Sequence, residues 1–241
     1  MTQTGGSAKE QRVLLFGGGG CHDFNACCPV IAEYLGSVPG FAVEYVAEDL
    51  DVFQAARLAA YDLAVVYHTG GELSAEQRRG LCEWVASGKG FAGVHAAGDS
   101  FLNAPEYLAM LGGVFRAHPC IREYIVGLND PAHPATRDLR GYTVKDWEKW
   151  PVYEFKVTDE QYLLDYDSRV HLLASTLFRG RLWPVAWVKP WGKGKVFYLA
   201  LGHDVAACRN PFFRAMLVGG AQWAAEPTPY AEPPAATFAI A

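Results

Sequence analysis

The sequence predicts an α/β protein in which helices cover both faces of a mostly parallel, doubly wound sheet. Three observations predict it. Short apolar runs alternate with helical stretches of about a dozen residues, the pattern of βαβ units. Those runs are apolar throughout instead of alternating, which marks strands buried on both faces. Apolar residues make up 51 % of the 241 residues and charged residues 20 %, enough for one large core and too apolar for disorder.

Taken in order, residues 1–11 (MTQTGGSAKEQ) read as a disordered leader with no apolar targeting core. RVLLFGGGG is a strand feeding a glycine loop, and Pro29 to Leu35 reads as a short helix. FAVEYVAE is the second strand, and Asp49 to Ala60 reads as helical with Asp51 as its N-cap. YDLAVVYHTGG is the third strand. Ser74, with Glu76 and Gln77 after it, opens an amphipathic helix whose buried stripe is Leu81, Trp84 and Val85, ending at Gly88. KGFAGVHAAGDS is the fourth strand and its turn. Residues 115–128 look like strand material, and 129–160 form a long polar excursion rich in Pro and Trp. PVAWVKPWGKGKVFYLALGHD reads as a hairpin around Gly-Lys-Gly, and NPFFRAMLVGGAQWAA as a closing helix capped by Asn210 with Pro211 in its first position. The expected organisation is a single flavodoxin-like domain over 12–225 and a Pro/Ala-rich arm over 226–241.

Charge narrows the function classes. With 21 basic against 26 acidic residues the net charge is −5, so no nucleic-acid partner is expected. No apolar run reaches the roughly 20 residues needed to span a bilayer, so no membrane partner is expected and a cytoplasmic location follows. The six cysteines include no CxxC pair and read as buried or inert thiols. GGGGCHDF lacks the spacing of a dinucleotide or Walker loop, so no nucleotide cofactor is expected; its glycines are read as letting backbone N–H groups approach a polar ligand.

In open α/β sheets ligands bind beyond the carboxyl ends of the strands. Most of the seven histidines fall there. His22 and Asp23 follow the first strand, His68 closes the third, His95 and Asp99 close the fourth, and His203 with Asp204 end the last. His118 follows a later apolar segment, and His133 and His171 read as structural. The core candidates are His22, His95 and His203. GVHAAGD sits where a nucleophile elbow would be, and it presents His95, not serine or cysteine.

GGGGCHDF, GKGFAGVHAAGDS, GGVFRAHP, DPAHPAT, TDEQYLLDYD, the GKGKVFYLALGHD segment and NPFFRAMLVGGAQWAA together resemble the trehalose-utilisation (ThuA-like) family, in order from about Arg12 to Ala225. The resemblance implies a class I glutamine-amidotransferase-like fold and a role in sugar utilisation, including oxidised (3-keto) disaccharides. It also adds Glu160, Tyr162 and His118 to the pocket. The elbow cysteine of the amidotransferases is replaced by His95, so glutamine hydrolysis is not expected.

Two readings of function follow. In the first, the protein is a carbohydrate-active enzyme. His95, His203 and Glu160 are its acid–base groups, or His22, His95 and His203 hold a divalent metal such as zinc. His22, Asp23, Asp99, His118, Tyr162 and Asp204 bind the sugar, and Trp147, Trp150 and Tyr153 form an aromatic lid. In the second, the same pocket is a sugar-binding module without catalysis. A homodimer or higher homo-oligomer, with the C-terminal arm around a neighbour, is expected by fold analogy alone.

Overall fold

The structure, a computed structural model, describes residues 10–142, 145–147 and 150–230. Its strands in chain order are β1 (Gln11–Gly19), β2 (Phe41–Ala47), β3 (Leu63–Thr69), β4 (Gly90–Val94), β5 (Gly113–Ala117), β6 (Arg122–Leu128), β7 (Lys145–Trp147), β8 (Trp150–Val152), β9 (Glu154–Asp159), β10 (Leu163–Tyr166), β11 (His171–Phe178), β12 (Arg181–Trp191) and β13 (Gly194–Leu199). Nine of them form one sheet in the order β2-β1-β3-β4-β13-β12-β11-β6-β9. The first five are mutually parallel. Their order is that of a flavodoxin-like sheet, in which the chain winds outward from a central switch point. The remaining four add on antiparallel as a wing. Two small ribbons, β5 with β10 and β7 with β8, stand apart from the sheet.

Burial follows from this layering. β3, β4 and β13 are buried at every position, as continuous apolar strands must be when both faces are covered. One face packs beneath α1 (Phe24–Gly36) and the closing helix α6 (Pro211–Ala225). The other packs beneath α3 (Ala75–Ala86) and α4 (Pro105–Leu111), with the one-turn helix α2 (Ala55–Leu58) alongside. A further one-turn helix, α5 (Val205–Cys208), follows β13.

The end signals act as read for two helices. The Ser74 hydroxyl accepts from the Gln77 N–H at 3.2 Å while the Gln77 side chain accepts from Ser74 N–H at 2.9 Å, a reciprocal capping box. Asn210 accepts from Phe212 N–H at 2.8 Å, with Pro211 where its missing N–H costs nothing. Three expectations need correction. The first helix begins at Phe24, not Pro29, because the Asp23 carboxylate accepts from Ala26 N–H at 3.0 Å and starts the helix earlier. The cap of the next segment is Asp49, not Asp51, and Gln54 is extended with ψ 141°, which splits Asp49–Ala60 into a 3-10 turn over Leu50–Phe53 and α2. The excursion 129–160 also carries structure: a 3-10 turn over Pro134–Tyr142, the β7–β8 ribbon, and β9 at the sheet edge. β9 alternates exposed and buried residues, the period of a strand covered on one face.

The expected leader and arm fall mostly outside the described residues. β1 already begins at Gln11, and Tyr230 packs edge-on against Trp223 with ring centroids 6.0 Å apart. Cys27, Cys28, Cys82 and Cys208 are buried, but Cys21 and Cys120 are exposed. Among the described residues no helix is long and apolar enough to cross a membrane.

Candidate active site

The site lies where parallel strands end: β1, β4 and β13 each deliver one histidine, and β9 of the antiparallel wing delivers Glu160. β1 runs into Gly17–Gly20 and then His22. A Cβ at Gly19, whose φ is +95°, would stand 1.9 Å from the Thr69 carbonyl oxygen, so glycine is what lets the ends of β1 and β3 close together. The Gly19 N–H is taken by the Glu48 carboxylate at 2.7 Å, so this glycine serves chain packing and not the ligand approach read from the sequence. The same closeness brings the Thr69 hydroxyl within 2.8 Å of His22 Nδ1. β4 runs into His95, whose φ of +41° is the left-handed conformation that non-glycine residues avoid and that clusters at functional sites. This is the sharp turn expected of GVHAAGD. The His95 ring stacks on Tyr162 at a centroid distance of 4.1 Å, and its Nδ1 lies 2.7 Å from the Ala200 carbonyl oxygen. A carbonyl only accepts, so Nδ1 carries a proton, and Nε2 is the ring nitrogen turned toward the cluster. β13 leads through Ala200 and Gly202 to His203, and β9 leads to Asp159 and Glu160.

These elements bring four ligand-capable groups together. One atom each from His22, His95, His203 and Glu160 lies within 4.8 Å of all the others. The Glu160 carboxylate is 3.0 Å from His203 Nδ1 and 3.4 Å from His95 Nε2, and its other oxygen is 3.3 Å from His118 Nε2. Neither the His203 nor the His95 approach has hydrogen-bond angles. His22 Nε2, His95 Nε2 and His203 Nδ1 are therefore buried polar atoms with no hydrogen-bond partner. Such atoms cost free energy unless something else occupies their lone pairs.

The electrostatics suit lone-pair donation. Burial, and after it the neighbouring imidazoles of His95 and His203, pushes His22 down to about 4 against the pull of Glu160. At neutral pH His22 is thus uncharged. Burial raises the Glu160 carboxyl, but His95, His203 and His118 outweigh it and hold the group below its ordinary range, so it is ionised. Asp159 is raised by burial and drawn back by His95 and by backbone N–H groups. Burial also pushes the Tyr162 phenol far up, so it stays neutral.

The other candidates divide. His118 is on the rim, 38 % exposed, with Nδ1 2.8 Å from the Pro119 carbonyl. Asp23 and Asp204 cap α1 and α5, Asp204 accepting from Ala207 N–H at 2.7 Å. The Asp99 side chain is half-buried, and burial raises its carboxyl. His68 packs against Phe16 and Phe101, at 5.2 and 5.1 Å, and is not part of the cluster. Tyr153 packs on the core, and the side chains of Trp147 and Trp150 lie outside the described residues. Sequence reasoning missed Thr69 and Asp159 as supports. Two surface hollows of about 540 and 570 Å³ lie apart from the cluster, one along α3 lined by Cys82 and Trp191 and one lined by His171 and Lys189. They hold no comparable set of ligand-capable groups.

Comparison with known proteins agrees with this architecture. A ThuA-like protein from Parabacteroides merdae superposes with TM-score 0.77 at 21 % identity, covering 94 % of each chain. One from Bacteroides uniformis gives TM-score 0.70 at 18 % identity, covering 92 % of this chain and 95 % of its own. A cytoplasmic protein of Salmonella typhimurium LT2 gives 0.62 at 12 %, covering 88 % and 99 %. At these identities the likeness is one of fold. No curated protein of known function is similar to the chain at a significant level. Residues 12–224, nearly everything from the first strand to the closing helix, match the family model described as trehalose utilisation. The histidine pocket is therefore housed in a ThuA fold, and the chain belongs to the ThuA family.

Proposed function

We propose that the protein is a cytoplasmic carbohydrate-utilisation enzyme acting on a small sugar, with a disaccharide or its 3-keto form as the first candidate. Its working centre is the cluster of His22, His95, Glu160 and His203, holding a divalent metal such as zinc. No nucleotide cofactor and no glutamine hydrolysis form part of this reading. The observation that carries it is that three of the buried imidazole nitrogens without hydrogen bonds, on His22, His95 and His203, gather about one carboxylate. Three nitrogens and one oxygen suit zinc or a similar ion. The backs of two rings are anchored, His95 on Ala200 and His22 on Thr69, as ligand histidines are.

When bound, the metal would supply Lewis acidity toward a sugar hydroxyl, a carbonyl or water. The chain's own residues do the rest. Stacking on Tyr162 fixes the His95 ring. His118, exposed and beside the outer oxygen of Glu160, exchanges a proton with solvent and passes it inward. Asp99 and Asp204 rim the same end of the sheet for hydroxyl recognition.

The test is metal content of protein purified without chelator, followed by incubation with disaccharides and their 3-keto forms. One equivalent of metal and chelator-sensitive turnover are expected. Metal-free protein whose turnover survives His95→Ala would overturn the reading. A second reading, a sugar-binding module, is favoured by the absence of serine or cysteine at the elbow; saturable binding without product would select it.

A further inference from the structure

Asp159, the residue before Glu160, is 2 % exposed and engaged at both oxygens. Oδ2 accepts from Gly202 N–H at 2.7 Å. Oδ1 accepts from His203 N–H at 3.1 Å and from Glu160 N–H at 2.8 Å. We propose that Asp159 is the positioning residue of the centre, its carboxylate fastening the His203 loop to the Glu160 strand. The proposal rests on the metal-centre reading above for its consequence, but not for its geometry.

The sheet order shows why such a fastener matters. β13, which leads to His203, and β9, which leads to Glu160, are separated by β12, β11 and β6. No ladder hydrogen bond joins them, so the separation of these two groups would otherwise depend on loops. Asp159 spans the gap directly. The same peptide is gripped from its other side. The Tyr67 hydroxyl donates to the Gly202 carbonyl at 2.7 Å, and the Cys208 thiol reaches it at 3.6 Å. Gly202 has φ +110°, and a Cβ there would meet the Phe213 ring at 2.6 Å, so the loop has little freedom of its own. A carboxylate suits the task because it accepts at both oxygens and donates nothing. An asparagine would turn an N–H donor toward one of three N–H donors and leave it unpaired in a buried place.

The experiment uses the full chain and three measurements: zinc affinity by competition with a chromophoric chelator, hydrogen exchange of the Gly202 and His203 amides, and thermal unfolding. Asp159→Asn is expected to weaken zinc binding about 10- to 100-fold, the range seen when a group orienting a metal ligand is lost. It is also expected to lose protection selectively at Gly202 and His203. Asp130→Ala, at the far end of the sheet, should alter neither. An Asp159→Asn protein with wild-type zinc affinity and wild-type protection at both amides overturns the proposal. If that variant does not fold, Asp159→Ser is read by the same criteria. If the wild-type protein takes up no zinc, the metal reading fails by itself. Amide protection then decides alone: retained protection in the variant overturns the fastener and selective loss upholds it.

Discussion

The molecule carries two groups of histidines, one at each end of its sheet, and they are built on opposite principles. At the end where β6 finishes and β11 begins, His171 Nε2 meets the Asp130 carboxylate at 2.9 Å. His133 Nδ1 accepts from the Ala135 N–H at 3.1 Å, and its ring packs on Trp223 at 5.2 Å. Asp130 also accepts from the N–H groups of Ala132 and His133. Every contact there closes on the protein. At the other end, His22, His95 and His203 each keep one nitrogen buried without a hydrogen bond. A satisfied histidine contributes to the fold; an unsatisfied buried one costs stability that only a bound partner recovers. Residue type alone does not separate the two groups; a ring nitrogen at once buried and without a hydrogen bond does.

The contrast can be broken most severely at His95. His95→Ala is expected to abolish stoichiometric zinc uptake and turnover while the fold survives, checked by elemental analysis beside circular dichroism. Thr69→Val, which removes the partner of His22 Nδ1, should reduce zinc affinity about 10- to 100-fold, measured by chelator competition. The opposite group gives the reverse signature. Asp130→Ala strands His171 and two backbone N–H groups, so about 1–3 kcal/mol of stability should be lost in denaturant titration with zinc affinity unchanged. A fall in zinc affinity there would show that the two ends are coupled.

The last effect concerns pH. Burial pushes His133 down to about 4, with Asp130 opposing and His171 and Lys195 adding to the shift. Its folded-state value is thus below the unfolded one, so the unfolded chain binds the proton first. The contribution is complete above about pH 6.5 and is lost as pH falls toward 4. His133→Gln should flatten the stability profile over that interval, and an unchanged profile would locate the acid sensitivity elsewhere.

Much of this was legible in the chain because parallel topology is legible. Once RVLLFGGGG, KGFAGVHAAGDS and GKVFYLALGHD are read as buried parallel strands, the residues after them must share an edge, and His22, His95 and His203 follow. Glu160 required resemblance, since β9 was hidden inside a stretch read as an excursion. The alternation of EFKVTD was the available signal, one strand long and flanked by Trp and Pro. Asp159 and Thr69 had no signal at all. Their partners are backbone groups and a ring nitrogen brought close by the fold, and a main-chain N–H leaves no mark on sequence. Asp49 and Asp51 show the same limit, because both can cap and only the backbone decides between them.

The position of β9 has a consequence for how activity fails. Among the described residues it is the outermost strand of the antiparallel wing, bonded on one side only, to β6. Edge elements open locally at lower free energy than the sheet centre. Glu160 travels with that strand, whereas His95 and His203 are held by the interior strands β4 and β13. Peeling of a single margin would therefore take Glu160 out of the cluster while the spectroscopic core stayed native. Heat or mild denaturant should inactivate the protein before it visibly melts, and a ligand that bridges Glu160 to the histidines would close that interval.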